Sequence, residues 1–346
     1  MGDIRVDDAL EFERFNEKLL DSASLRYPNM DVNIREVIKN NDTLLHGFTM
    51  HPKDGSFFIS PCVYTEPFFE RTKIGTPENE VFEAVFTLMD AHMTSGNKLD
   101  FSPENLLDSE FVSSHVVMKL VNSDRNAERL KDVPHREVYD LSVEYRILVN
   151  YDNEMQGAIS VTNAIMEGCG LNEIALHTCA LENTKKLLGV SVMSLGDKMR
   201  SLGVEENPFS NPPFYIISND SYCFGAASVL YDEALQSCSE KLNNQDLVVL
   251  PSSVHEIICI PANTLESSEL LEMVRSVNAN TVAPDEQLSN NFYMYDAKKH
   301  LFSDLQTYEK NHSEESSEQE DEENTRTQQN QEEETEDESF ARPRHR

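Results

Sequence analysis

Residues 247–260 have the sequence LVVLPSSVHEIICI, two apolar runs on either side of Pro251-Ser252-Ser253. Proline followed by two serines is a turn signal, so the runs predict two strands, Leu247–Leu250 and Val254–Ile260. In the second run the apolar side chains alternate onto both faces: Val254, Ile258 and Ile260 on one, and Ile257 and Cys259 on the other. A strand that is apolar on both faces is typical of the centre of a covered sheet. The fold is therefore expected to be built around this strand.

Outward from this pair, helical and strand patterns follow each other in mixed order. Helices are predicted over 8–26, 66–72, 77–92, 124–130, 172–188, 232–242 and 265–277. Further strands are predicted over 32–38, 43–50, 57–60, 138–149, 158–161 and 214–217. Hairpins within such an order favour an α+β fold with a mixed, mostly antiparallel sheet and flanking helices, in two lobes. We predict an N-terminal α+β lobe over 1–96, a main α+β domain over 97–308 and a disordered acidic tail over 309–346.

The charge of the chain excludes some partners. The formal net charge is −33, and residues 311–346 hold 13 acidic and 4 basic residues, so the 310 residues before them still carry −24. Such a field repels phosphate backbones and anionic membrane surfaces, so we expect neither direct nucleic acid binding nor membrane binding. It attracts basic surfaces, which favours a protein partner with basic residues.

The six cysteines are scattered, without a Cys-x-x-Cys pair. Free thiols within apolar stretches are typical of a reducing compartment. The N-terminal residues are acidic and lack the apolar core of a signal sequence, and no segment has the apolar length to span a bilayer. We therefore expect a cytoplasmic protein.

Known catalytic and cofactor motifs do not occur. The chain contains neither Gly-x-x-x-x-Gly-Lys-Ser/Thr nor Gly-x-Gly-x-x-Gly, and Cys259 stands where a His-Glu-x-x-His motif starting at His255 needs its second histidine. We expect no metal and no cofactor. Ser253 and His255 lie two apart on the predicted strand, with Glu256 on its opposite face, which does not assemble a Ser–His–acid group. The candidates in this segment for contact with a ligand or partner are Ser252, Ser253, His255 and Glu256.

A second polar segment is Asp132-Val133-Pro134-His135-Arg136. His135 and Arg136 place a titratable group and a planar cation in a very acidic protein, which suits contact with an anion. The alternative is structural: Arg136 pairs with an acid such as Asp140 and His135 holds a loop. Asn122 and Asn126, four apart, form a further candidate polar patch.

Several of these segments together resemble a known family. They are Lys119-Leu120-Val121-Asn122, the run from Leu130 to Arg136, Ala180-Leu181-Glu182-Asn183-Thr184, the run from Leu250 to Glu256, and Val282-Ala283-Pro284. Over about residues 10–300 the chain resembles the uncharacterised bacterial family catalogued as domain of unknown function 5688. Cys169-Gly170 departs from the Trp-Gly of its relatives, which affects packing at a helix entry. The resemblance implies a fold and a bacterial setting, often near mobile elements, and brings no catalytic residue or substrate.

Three hypotheses remain for function. The first is a non-catalytic module that binds a protein or peptide partner. The second is an acidic mimic of nucleic acid that acts as an anti-defence decoy, for which carboxylates would line one face at phosphate-like spacing. The third is a hydrolase or small-ligand-binding protein, for which the 132–136 and 252–256 segments would meet in one pocket.

Overall fold

The computed structural model describes residues 6–54, 62–96, 101–149, 157–201, 203 and 214–314. The predicted strand over 57–60 lies outside these residues, as does the predicted tail from 315 onward. The chain is helical over 305–314, so regular structure continues past residue 308. None of the helices in the described ranges is both long and apolar enough to cross a membrane.

The structure alternates helices and short strands. The α-helices are α1 Val6–Arg26, α2 Glu66–Lys73, α3 Glu78–Gly96, α4 Ser109–His115, α5 Ala127–Leu130, α6 Asn163–Gly168, α7 Glu173–Asn183, α8 Leu195–Ser201, α9 Asp232–Lys241 and α10 Ser267–Asn280. The strands are β1 Met30–Ile38, β2 Leu44–Pro52, β3 Cys62–Tyr64, β4 Val116–Asn122, β5 His135–Val138, β6 Leu141–Val149, β7 Gly157–Ser160, β8 Ser191–Ser194, β9 Tyr215–Ser218, β10 Leu247–Ser253, β11 Glu256–Pro261, β12 Tyr293–Asp296 and β13 Leu301–Asp304. The predicted α+β class is confirmed, and every pairing among the described strands is antiparallel.

The N-terminal lobe has its own core. Helices α1, α2 and α3 cover the sheet β1-β2-β3, and aromatic residues such as Phe15, Phe48 and Phe86 fill the space between them. Apolar residues of this core come from positions 12–93, and those of the largest core come from 101–302. Between β1 and β2 a 3-10 turn, Asn40–Asp42, points away from this core, and Asn41 adopts the left-handed conformation with φ 59°.

Two sheets form the rest. In the β11 sheet, with order β13-β12-β10-β11-β9-β8, strand β11 lies between β10 and β9. Ile257 and Cys259 face the main core, whereas Ile258 and Ile260 face α10. The prediction of a central strand buried on both faces is confirmed, because each face meets a different apolar layer.

In the β6 sheet, strand β6 pairs with β4 along one side; along its other side it pairs first with β5 and then with β7. Because side chains alternate along a strand, Val143, Tyr145 and Ile147 enter the main core and the residues between them face the opposite side. Charged side chains lie on that opposite side, and the candidate site is built on them.

Two predicted strand boundaries are wrong. The segment over 138–149 is not one strand: the chain reverses at Tyr139-Asp140, with Tyr139 left-handed at φ 59°, so β5 and β6 form a hairpin. In the β11 sheet, Pro251-Ser252-Ser253 continues strand β10, and the turn lies at Val254-His255. Ser253 and His255 are therefore not two apart on one strand face.

The hairpin turn is tied to the β11 sheet through Asp140. Its carboxylate accepts hydrogen bonds from the Ser289 hydroxyl at 2.6 Å, the Asn291 amide at 3.1 Å and the Tyr293 hydroxyl at 2.5 Å. Arg136 pairs instead with Glu173, so the predicted partner Asp140 is wrong. One carboxylate thus joins the β5–β6 turn to strand β12 and to the loop before it.

We expect Tyr293→Phe to lower the free energy of unfolding by about 1–3 kcal/mol, because it removes a donor to a partly buried carboxylate. Tyr139→Phe is the matched control, because Tyr139 is 41% exposed and its hydroxyl donates to the Phe302 carbonyl, whereas Tyr293 is 1% exposed and donates to Asp140. Urea denaturation of both variants measures the difference. Equal losses in the two variants would contradict the role given to Asp140.

Candidate functional site

A cleft of about 480 Å³ opens where the N-terminal lobe meets both sheets of the main domain. One wall is the end of β1 with the following turn, residues 37–40. The floor is the charged side of the β6 sheet, and the third wall comprises Phe224, the Val254-His255 turn, Asp285 and Glu286. Small-molecule sites in proteins commonly have volumes of about 300–1,000 Å³, so the cleft has the size of a ligand pocket.

The floor is built around Glu144. In the register of the sheet Glu144 lies opposite Lys119 of β4 on one side and His135 of β5 on the other. Arg146 follows two residues later on the same face of β6. The Glu144 side chain is 0% exposed. A carboxylate buried to this degree needs cations and hydrogen-bond donors around it.

Three cations surround this carboxylate. Arg146 donates to Oε1 of Glu144 from Nη2 at 2.6 Å and from Nε at 3.1 Å, and Lys119 Nζ lies 3.4 Å from the same oxygen. Arg129 donates from Nη1 to Oε2 of Glu144. We call Lys119, Arg129 and Arg146 the basic floor. With Glu144 ionised, the group has a net charge of +2 in a chain whose net charge is −33.

The surroundings change the pKa values of both kinds of group. Burial alone raises the pKa of Glu144, but Arg146, Lys119 and Arg129 outweigh it and hold that pKa at about 2. Burial lowers the pKa of Lys119, and the neighbouring guanidinium groups lower it further against the attraction of Glu144, to about 8. At neutral pH Glu144 is thus ionised and Lys119 is mostly charged. Lys119 loses its proton as the pH rises through about 8.

Asn126 positions one of the cations. Its Oδ1 accepts from Arg129 Nε at 3.2 Å and Nη2 at 3.0 Å, and also from the Asn41 main-chain N–H at 3.0 Å. Its Nδ2 donates to Asn41 Oδ1 at 3.0 Å and to the Asn122 carbonyl at 2.9 Å. The turn of the N-terminal lobe is therefore connected by one buried amide to the guanidinium that contacts Glu144.

The third wall contains a strained aromatic residue. Phe224 has a left-handed backbone, φ 57°, and Lys119 Nζ lies 5.6 Å from the centre of its ring. The Phe224 N–H donates to Nδ1 of His255 at 3.3 Å. At Gly225 a Cβ would collide with the His255 carbonyl oxygen and Ser218 Oγ, so only glycine lets these segments approach. Backbone strain of this kind is found preferentially at binding and active sites.

The predicted site residues are only partly brought together. His255 lines the cleft, and Asn126 lies behind its floor, where Asn122 accepts the Arg125 N–H through its Oδ1 at 3.0 Å. His135 faces Glu144 from the next strand, but none of residues 132–136 lines the cleft. The 132–136 and 252–256 segments therefore do not form one pocket there.

The remaining candidates make local contacts. Ser253 Oγ accepts the His255 main-chain N–H at 3.1 Å, and the His255 ring Nδ1 accepts from Phe224, so these contacts do not form a Ser–His pair. Ser252 Oγ donates to Glu256 at 3.4 Å, and Glu256 lies 3.8 Å from Lys198. These contacts stabilise the turn between β10 and β11.

Sequence reasoning missed the basic floor. The signal was a single lysine, Lys119, within the apolar run Val116–Val121, and two charged residues, Glu144 and Arg146, within the apolar strand β6. Charged residues at alternate positions of a strand are most often on a solvent face. Here the carboxylate of Glu144 is fully buried.

Comparison with known proteins gives one match. A family model described as a family of unknown function, DUF5688, matches residues 12–297. No curated protein and no solved structure matches the chain. The resemblance predicted from the sequence motifs is confirmed.

We expect Glu144→Gln to lower the free energy of unfolding by about 3–5 kcal/mol at pH 7, because it leaves three neighbouring cations without their carboxylate. Glu128→Gln is the matched control: the Glu128 side chain is 79% exposed and pairs with Lys131, so its loss is expected below about 1 kcal/mol. Chemical denaturation measures both.

The pH dependence follows from the lowered pKa of Glu144. The folded state holds its carboxylate ionised more strongly than the unfolded state, so the stability it contributes is present above about pH 4.5 and is lost as the pH falls towards 2. The difference between the wild type and Glu144→Gln should shrink over this range. A constant difference would contradict the buried ionised carboxylate.

Proposed function

Since the chain belongs to DUF5688, a family of unknown function, we propose a function from the cleft itself: the protein binds a small anionic ligand, whose carboxylate or phosphate group lies on the basic floor. It does so as a binding protein and not as an enzyme. The observation that carries the proposal is the excess of positive charge on Lys119, Arg129 and Arg146 over Glu144, placed inside a cleft of ligand size.

Charge balance supports this proposal. Cations that are removed from water and lack a full set of counter-charges cost free energy, and a bound anion reduces that cost. The side chains of Lys119, Arg129 and Arg146 are 9%, 20% and 18% exposed, so each is largely withdrawn from water and still borders the cleft. An anion bound here balances the positive charge that the single carboxylate of Glu144 does not neutralise.

The supply of hydrogen-bond donors also supports it. A guanidinium has five N–H donors and an ammonium has three, whereas Glu144 has two oxygens. Arg146 uses Nε and Nη2 on one oxygen, and Arg129 uses Nη1 on the other and its Nε and Nη2 on Asn126 Oδ1, so the unused donors are the remaining N–H groups of the two guanidiniums and of Lys119. Planar guanidinium groups bind carboxylate and phosphate in two-point geometry, so the floor is chemically matched to either anion.

A protein partner with a basic surface is our second proposal, and it rests on a different feature. The charge of −24 over the 310 residues before the tail attracts basic proteins wherever they meet this surface. The cytoplasmic setting is proposed with it, and the six cysteines, which are all free thiols, support it. The hypothesis of a nucleic-acid mimic stays a prediction.

We expect Lys119→Met to weaken the binding of sulfate or acetate roughly tenfold or more at pH 7, because a charge-assisted hydrogen bond contributes about 1.5–3 kcal/mol. Methionine has a similar length and suits a buried strand, so the fold should persist. Lys131→Met is the control, since Lys131 is exposed and pairs with Glu128. Isothermal titration calorimetry measures the affinities. An unchanged affinity in Lys119→Met would rule out the floor as the anion site.

We also expect the affinity for sulfate to fall as the pH rises from 7 to 9. Sulfate keeps its charge over this range, so the change comes from the protein. The pKa of Lys119 in the folded protein is about 8, below its usual 10.5; the protonated form attracts the anion below pH 8 and is lost above it. In Lys119→Met this dependence should disappear. A pH dependence that persists in the variant would assign the titration to another group.

A further inference from the structure

The third wall of the cleft carries negative charge, the reverse of the basic floor. Asp285 and Glu286 line the cleft side by side, and Glu286 Oε1 lies 3.8 Å from His255 Nε2. We call these two residues the acidic wall. Because Nδ1 of His255 accepts the Phe224 N–H, a neutral ring has its proton on Nε2, towards Glu286. Lys39 lies on the neighbouring β1 wall and offsets part of the charge of Asp285.

The β1 wall, next to Asp285, holds a polar group that is not satisfied. Asn40 lines the cleft and is 7% exposed; its Nδ2 donates to the Asp285 carbonyl at 3.0 Å, which fixes the orientation of the amide. Its Oδ1 has no hydrogen-bond partner in the described part of the chain. A buried carbonyl oxygen without a partner is costly, and a donor is the group that it lacks. The oxygen is shielded from water, so a ligand donor reaches it only when the Asn40 side chain rotates and gives up the hydrogen bond of its Nδ2 to the Asp285 carbonyl.

We infer that the ligand of the cleft is a zwitterion of amino-acid type, with its carboxylate on the basic floor and its ammonium group against the acidic wall and Asn40. This inference rests on the proposed anion site and specifies its ligand. An ammonium group has three donors and no acceptor, which matches two carboxylates and one amide oxygen. The two walls then bind opposite ends of one small molecule.

The test compares pairs of ligands that differ only in the α-ammonium group: alanine with propionate, glutamate with glutarate, and phenylalanine with 3-phenylpropionate. Calorimetry at pH 7 should show, in at least one pair, that the amino acid binds at least tenfold more tightly than its deaminated partner. In the double variant Asp285→Asn, Glu286→Gln that preference should vanish. Asp124→Asn, an exposed acid-to-amide change elsewhere, is the control and should keep the preference.

The outcomes separate the two proposals. Equal or tighter binding of the deaminated acids to the wild type overturns the zwitterion inference and leaves the anion site standing. If neither these acids nor sulfate binds the wild type, the anion site itself fails, and the inference fails with it. A thermal unfolding scan of the double variant distinguishes lost preference from lost folding, and a preference that survives in a folded double variant also overturns the inference.

Discussion

The buried carboxylate of Glu144 is the constraint to which the rest of the molecule adapts. A fully buried charge costs several kcal/mol unless cations and donors replace its water, and here Lys119, Arg129 and Arg146 do so. Glu144 and Arg146 lie on β6 and Lys119 lies on β4. The cluster therefore needs the antiparallel register of these two strands. At the cluster this face of the sheet meets polar turns of the other lobe, whereas Val117 and Leu148 on the same face pack against Leu188, and Val121 packs against Leu130 and Val133.

In the described part of the chain, the side-chain hydrogen bonds between the lobes are made by asparagine amides. Asn41 and Asn126 exchange hydrogen bonds, and Asn41 Nδ2 also donates to the carbonyls of Pro284, at 2.9 Å, and Gln287, at 2.6 Å. Polar contacts of this kind hold two lobes at a fixed distance without the close packing of a core, since each bond is directional and short. The cleft is the space that remains between the lobes. It is lined by the charged side chains of the β6 sheet and by the end of β1. The cleft is a consequence of how the charged face is covered.

The sequence predicted the elements whose signals are local. The period of β11, the apolar faces around it and the helix that starts after the cap Asn172 all depend on neighbouring residues. The reversal at Tyr139-Asp140 was missed because a left-handed tyrosine carries no glycine, proline or asparagine signal. The basic floor was missed for a different reason: strand alternation shows that Glu144 and Arg146 share a face, but only the position of residues 38–41, about a hundred positions away, shows that this face is covered.

The contrast in charge between the exterior and the cleft also bears on the ligand proposed for the cleft. At physiological ionic strength charges are screened within about 8 Å, so the acidic exterior opposes an anion mainly during approach, and the basic floor acts only at contact. A ligand with several negative charges meets the full opposition of the exterior and then the carboxylates of Asp285 and Glu286. A ligand without net charge meets little opposition on approach and can still place a carboxylate on the floor and an ammonium group on the wall. The same charge distribution that makes the chain so acidic thus favours a dipolar ligand over a polyanion.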